Sequence, residues 1–172
     1  MIKKSILLYL ILSSFLFSEM IPLSKKNFQD SRDTEFQRGR LLIVLSYSGL
    51  YNTALSYYIN LKQTQGFDVD VVSFREGNDE VSGINGQTNN DLKEYLIDYY
   101  NSNEMLEYVL LIGDINGTYS IPSYTIQSYN EPDLDVTDHP YTFFNHDPLS
   151  PKFFIGRWSI RTQNDLKKIK FR

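Results

Sequence analysis

Leu41-Leu42-Ile43-Val44-Leu45 is an unbroken apolar run closed by Ser46 and Gly49, and such a run predicts a strand buried on both faces, as a parallel sheet demands of its inner strands. Downstream, Ala54, Tyr58 and Leu61 recur at i, i+4 and i+7, with Leu55 and Ile59 beside them. That spacing predicts one apolar stripe on a helix, and Gly66 stands where a cap glycine would end it. Val69, Val71, Val72 and Phe74 supply a second strand. Residues 41–74 therefore read as one β-α-β unit, right-handed by default.

Working outward, Arg75 to Gln87 carries Gly77, Gly83 and Gly86 among Asn, Asp and Ser and is expected to be a solvated loop. Thr88-Asn89-Asn90 can cap a helix in which Leu92, Tyr95, Leu96 and Tyr99 recur at i, i+3, i+4 and i+7. Tyr108-Val109-Leu110-Leu111-Ile112 is a further apolar strand, stopped by Gly113-Asp114. Ile115 to Tyr141 has three prolines and little helical or strand pattern, a long excursion of the kind that carries function or disorder. Phe153-Phe154-Ile155 gives a fourth strand, ended by Gly156-Arg157. Thr162 to Asp165 then resembles a capping box, with Leu166 and Ile169 opening a last helical stripe.

In the other direction, residues 19–40 lack periodicity and read as an exposed lead-in. Before them Lys3 and Lys4 precede an apolar run from Ile6 to Phe17, then Ser18 and Glu19. This is the basic, apolar, small-residue order of a secretory signal, so residues 1–18 are expected to be removed on export. The run is too short to cross a hydrocarbon core, which takes about 20 apolar residues, so no membrane span is expected. The folded part is 41–172, room for one core.

Composition narrows the chemistry. The 172 residues carry 17 Lys+Arg against 21 Asp+Glu, a net charge of −4, with no dense basic stretch. Nucleic acid is excluded as an expected partner, because neutralised phosphates supply most of that affinity. With 41% hydrophobic residues the chain is too apolar to be a disordered tail. It has no cysteine, which excludes disulfides, thiolate metal sites and a cysteine nucleophile within these residues. No dinucleotide fingerprint, phosphate loop, nucleophile elbow or zincin helix occurs.

What remains is a set of carboxylates and two histidines. Asp114 directly follows a buried strand, at the edge where open α/β sheets bind ligands. Asp133, Asp135, Asp138 and Asp147 follow in the long excursion and could collect round Ca²⁺, a hard cation that prefers oxygen. Asp133-Leu134-Asp135-Val136-Thr137-Asp138 is no EF-hand loop, since Asp138 occupies the position that needs glycine. A solvated acidic loop whose Asp residues cap turns accounts for the same pattern. His139 and His146 could share a metal with Asp138 or Asp147, or serve as ordinary turn residues. Asn116-Gly117-Thr118 matches a glycosylation sequon.

Four segments in one order then resemble the gingipain-type cysteine peptidases. Leu41 to Phe74, with Leu61-Lys62-Gln63-Thr64-Gln65-Gly66 closing its helix, is similar to that family's opening strand, helix and W-K-x-x-x-G-like turn. Glu107 to Asp114, followed by Ile121-Pro122, resembles its Y-V-L-L-x-G-D…I-P segment. Asp138-His139-Pro140-Tyr141 resembles S-D-x-x-Y with Thr137 for Ser, and Phe153 to Ser159 followed by Asp165-Leu166 resembles its hydrophobic-G-R-F-S…D-L stretch.

The resemblance implies a caspase-like or Rossmann-like α/β fold, a mostly parallel sheet flanked by helices and incomplete at its C-terminus, of which this chain supplies about four strands. It implies a secreted peptidase acting on peptide or protein substrates. The family's G-H-G and A-C-x-N-G turns come later in the domain, and neither His139 nor His146 matches them. The chain alone is thus expected to be inactive, needing the missing C-terminal half of its domain as partner. Asp114 and Asp138 become candidate residues of the cleft rim, with no cofactor needed for the chemistry and a structural calcium as an option. The alternatives are a non-catalytic secreted α/β binding domain, or a decayed relative. A receiver-like domain, with Asp114 as phospho-acceptor, is opposed by the export signal and by the lack of an acidic pair after the first strand.

Overall fold

The structure, a computed structural model, describes residues 38–103, 105–129, 132–144 and 148–168. The expected signal peptide, most of the lead-in, His146, Asp147 and Ile169 lie outside the described residues. Strand β1 is Arg40–Leu45, and Leu42 to Leu45 are completely buried. Helix α1 is Thr53–Thr64, strand β2 Asp68–Ser73 and strand β3 Ser82–Gly83. Helix α2 is Asn89–Ser102, strand β4 Leu106–Ile112, and β5 (Tyr124–Gln127) and β6 (Leu134–Thr137) follow. Strand β7 is Phe154–Trp158 and helix α3 is Gln163–Lys168.

Five strands form one sheet in the order β3-β2-β1-β4-β7, with every neighbouring pair parallel. The fold class read from the sequence is therefore observed, a parallel α/β sheet flanked by helices. Because strand side chains alternate, the register sorts the apolar runs into two layers. Leu42, Val44, Val72, Phe74, Val109 and Leu111 meet Leu92 and Leu96 of α2 on one face. Leu41, Ile43, Leu45, Leu110 and Ile112 meet Leu55 and Ile59 of α1 and Leu166 of α3 on the other. Each fully buried leucine stabilises the fold by about 1.5–3 kcal/mol.

Local signals position the elements. Thr88 is the N-cap of α2: its hydroxyl accepts from Asp91 N–H at 3.2 Å, and the Asp91 carboxylate accepts from Thr88 N–H at 2.8 Å. At the amino end of the sheet Arg40 donates to Asp70 at 2.6 Å, and the Tyr99 hydroxyl donates to the same carboxylate, tying β1, β2 and α2 together.

Four expectations shift. The loop after Phe74 contains β3, paired to Val72 and Ser73. It rests on close backbone approach, because a Cβ on Gly83 would lie 2.3 Å from Gly77 N, and two residues are too few to show a period. The excursion from Ile115 to Tyr141 holds the antiparallel hairpin β5–β6, whose largely exposed side chains leave no apolar alternation to read. The fourth strand does not end at Gly156-Arg157 but runs through both to Trp158, and with β3 added the sheet has five strands rather than about four. On α1, Leu55 and Ile59 are the buried pair while Tyr58 and Leu61 are half-buried, since the core-facing row lies beside the stripe centred on Tyr58.

Candidate functional site at the carboxyl edge of the sheet

From β1 the chain goes first to β2 on one side and later to β4 on the other. The carboxyl ends of β1 and β4 thus flank a topological switch point, where open α/β sheets leave a crevice. An open cleft of about 650 Å³ lies at this edge. Tyr47 beyond β1, Phe74, Arg75 and Glu76 beyond β2, Asn85 to Gln87 beyond β3, and Ile115, Ser120 and Pro122 beyond β4 line it. Its walls touch where the Arg75 guanidinium donates to the Ser120 hydroxyl at 3.2 Å. Glycine is required beneath it: a Cβ on Gly113 would fall 2.7 Å from Tyr119 O and 2.8 Å from Ser46 Cβ.

Asp114 sits at the end of β4, as expected, and holds the next turn. Its N–H donates to Tyr119 O at 2.9 Å and its carbonyl accepts from Ile121 N–H at 2.8 Å. Its carboxylate accepts from Ile115 N–H at 2.9 Å and from Arg161 Nε at 3.0 Å. The Ile115 amide first, and then the Arg161 guanidinium, hold the Asp114 carboxyl below the usual carboxylate range.

Asp138 is placed beside the same edge, but its charge is already matched. Arg157 grips it with two bonds, Nε to Oδ2 and Nη2 to Oδ1, both 2.8 Å. Ser123 Oγ donates to Asp138 Oδ1 at 2.6 Å. The pair is largely buried, with 9% of the Arg157 and 18% of the Asp138 side chain exposed. Arg157 Nη1 also donates to the carbonyls of Ile121 at 2.9 Å, Gly113 at 3.2 Å and Asp114 at 3.3 Å. One guanidinium therefore fastens β7, the end of β4, the Ile121-Pro122 segment and Asp138. The Tyr141 hydroxyl reinforces this by donating to Pro122 O at 2.6 Å, and burial pushes its ionisation upward.

Arg157 is the residue that sequence reasoning missed, because beside Gly156 it reads as a strand end. Its signal is parity: Phe153 and Ile155 belong to the α2-side layer and Arg157 continues their row, so it faces inward and needs a buried acceptor.

His139 is exposed, its ring 5.3 Å from Phe143, and its backbone N–H donates to Thr137 Oγ1 at 3.2 Å. Asp133 and Asp135 are exposed on the hairpin. Among the described residues no group of three or more His, Asp or Glu side chains could hold a metal ion. Asp147, the remaining carboxylate of the calcium expectation, lies outside the described residues. The described residues also include no helix long and apolar enough to cross a membrane. What the edge offers chemically is an open, polar-rimmed cleft and, in a chain without cysteine, no thiol.

Fold and cleft together define a parallel α/β domain with an open cleft at the carboxyl edge of its sheet. Within that class the chain belongs to peptidase family C25, the gingipain-type cysteine peptidases, whose family model matches residues 34–170. Among solved structures it is similar to the complex of Porphyromonas gingivalis RgpB pro- and mature domains, at 22% identity and TM-score 0.53, over 75% of this chain and 27% of that one. It is also similar to the Arg-specific cysteine proteinase gingipain R, at 22% identity and TM-score 0.53, over 77% of this chain and 27% of that one. A further structure, described only as a protease, matches at 24% identity and TM-score 0.57, over 81% of this chain and 28% of that one. The chain thus spans little more than a quarter of the structures it resembles. No curated protein matches it in sequence.

Proposed function

We propose that residues 41–172 are the scaffold part of an exported gingipain-type cysteine endopeptidase, with residues 1–18 as its signal peptide and 19–40 as an exposed lead-in. The observation that carries this reading is the family match over residues 34–170, which takes in the whole sheet and the cleft at its edge. Peptide hydrolysis by a cysteine peptidase needs a thiolate, an imidazole that stabilises it and then protonates the leaving amine, and N–H donors for the oxyanion. With no cysteine among these 172 residues, the nucleophile and its histidine are assigned to sequence outside them. This part contributes one wall of the cleft against which a peptide substrate lies. Asp114 and Asp138 act there as positioning residues, the first through the turn it pins and the second through Arg157.

A direct test is to incubate the purified chain with Arg- and Lys-containing peptides. No cleavage is expected, and cleavage abolished by thiol reagents would overturn the assignment. Reading the coding DNA past Arg172 is the second test. An open frame continuing into His- and Cys-bearing turns is expected. A stop at that point would favour the second reading, a non-catalytic secreted binding domain, which the zero cysteine count supports. In the enzyme containing these residues, substituting Asp114 and Asp138 together should lower activity; unchanged activity would remove both from the rim.

A further inference from the structure

The chain contains two Asn-Gly dipeptides, Asn85-Gly86 and Asn116-Gly117, and the fold treats them oppositely. A backbone nitrogen that follows asparagine can attack the side-chain carbonyl carbon, and glycine allows the approach because no Cβ stands in the way. The reaction needs that N–H free and the local backbone able to fold onto the side chain.

At Asn85-Gly86 neither condition is met. The Gly86 N–H donates to Phe74 O at 2.8 Å, Gly86 is buried, and a Cβ there would lie 2.5 Å from the Phe74 ring. At Asn116-Gly117 both are met. Asn116, Gly117 and Thr118 are exposed and outside helix and strand. Gly117 has φ +88° with nothing within 4 Å of its Cβ position, and its N–H makes no backbone hydrogen bond to the described residues.

We propose that Asn116 is a site of spontaneous deamidation selected by the fold, a slow covalent timer beside the cleft. The Gly117 nitrogen gives its proton to solvent hydroxide and bonds to Asn116 Cγ. The Cγ–Nδ2 bond breaks, ammonia leaves and a succinimide closes. Water then opens the ring at either carbonyl to give aspartate or isoaspartate. The net change is water consumed and ammonia released, with no oxidation or reduction. Either product places a new negative charge two residues after Asp114, between Ile115 and Ser120, which both line the cleft. The isoaspartate also lengthens the backbone inside a turn closed by the Asp114–Tyr119 and Ile121–Asp114 hydrogen bonds of 2.9 and 2.8 Å.

The test is to incubate the purified full chain at mildly alkaline pH, with and without concentrated urea, and follow both dipeptides by peptide mapping and mass spectrometry. Without urea, Asn116 should be lost at least about tenfold faster than Asn85, because reaction at Asn85 first requires local opening of the Gly86 hydrogen bond. In urea the two rates should converge. The Asn116 rate should rise with pH and collapse in Gly117→Ala, while Asn116→Gln should leave only the slow Asn85 reaction. Equal rates without urea, or a stable Asn116 in the native protein, would overturn the proposal.

Discussion

Arg157 carries more of the candidate site than any other side chain, and what it does follows from its burial. A guanidinium taken out of water must recover its hydration through partners. Here Asp138 supplies two bonds and the carbonyls of Gly113, Asp114 and Ile121 supply the rest. Removing one partner leaves an uncompensated buried charge, so Arg157→Met should destabilise the chain by about 3–5 kcal/mol, whereas an apolar replacement of both Arg157 and Asp138 should cost much less. Urea unfolding of the two single variants and the double variant checks this; equal losses in all three would show that the ion pair is not the source. At this scale the sequence was only half legible. Asp114 could be set at the sheet edge from the strand pattern, whereas Asp138 was singled out through the family resemblance. That Asp138 is spent on Arg157, 19 residues away, depends on a crossover that no local window contains.

At the scale of elements, the strong periods were readable and the weak ones were not. The α2 stripe survives intact because Leu92 and Leu96 are completely buried while Tyr95 and Tyr99 are half-buried around them. Strand β3 and the β5–β6 hairpin escaped because a strand two residues long, or one lying largely in solvent, has no burial to impose alternation. The starts of α2 and α3 were legible through their caps, and those caps predict an acid response. Asp91 is held below the usual carboxylate range by the Gln87 and Thr88 amides. Asp165, bonded to Thr162, is lowered to about 2. A carboxyl depressed in the folded state contributes stability above its unfolded value near about 4, and loses it as pH falls through the folded value. The thermal midpoint should therefore drop between about pH 4 and pH 2. The Asp91→Asn/Asp165→Asn variant should start from a lower midpoint and show a flatter decline, followed by circular dichroism. A double variant with the parent's slope would assign the acid response elsewhere.

For the molecule as a whole, the decisive feature is the asymmetry of the sheet's two edges. One edge ends in β3, only two residues long and closed against the backbone of Gly77. The other ends in β7, five residues long and paired only with β4 among the described residues. An open edge is protected when charges point outward along it. Strand β7 has one charged residue, Arg157, and that charge is turned inward to Asp138. Its outward chemistry is Phe154, 72% exposed and stacked on Tyr108 with ring centroids 5.7 Å apart, followed by Gly156 with nothing within 4 Å of its Cβ position. An edge strand with no outward charge favours pairing with another strand, so the chain on its own should self-associate as its concentration rises. Phe154→Lys places a charge on this edge at an exposed position, where a substitution changes stability by no more than about 0.5 kcal/mol. Light scattering over a dilution series should show the parent associating and the variant remaining dispersed at the same concentrations, with unchanged unfolding midpoints. Association that persists in Phe154→Lys would place the contact on some other surface.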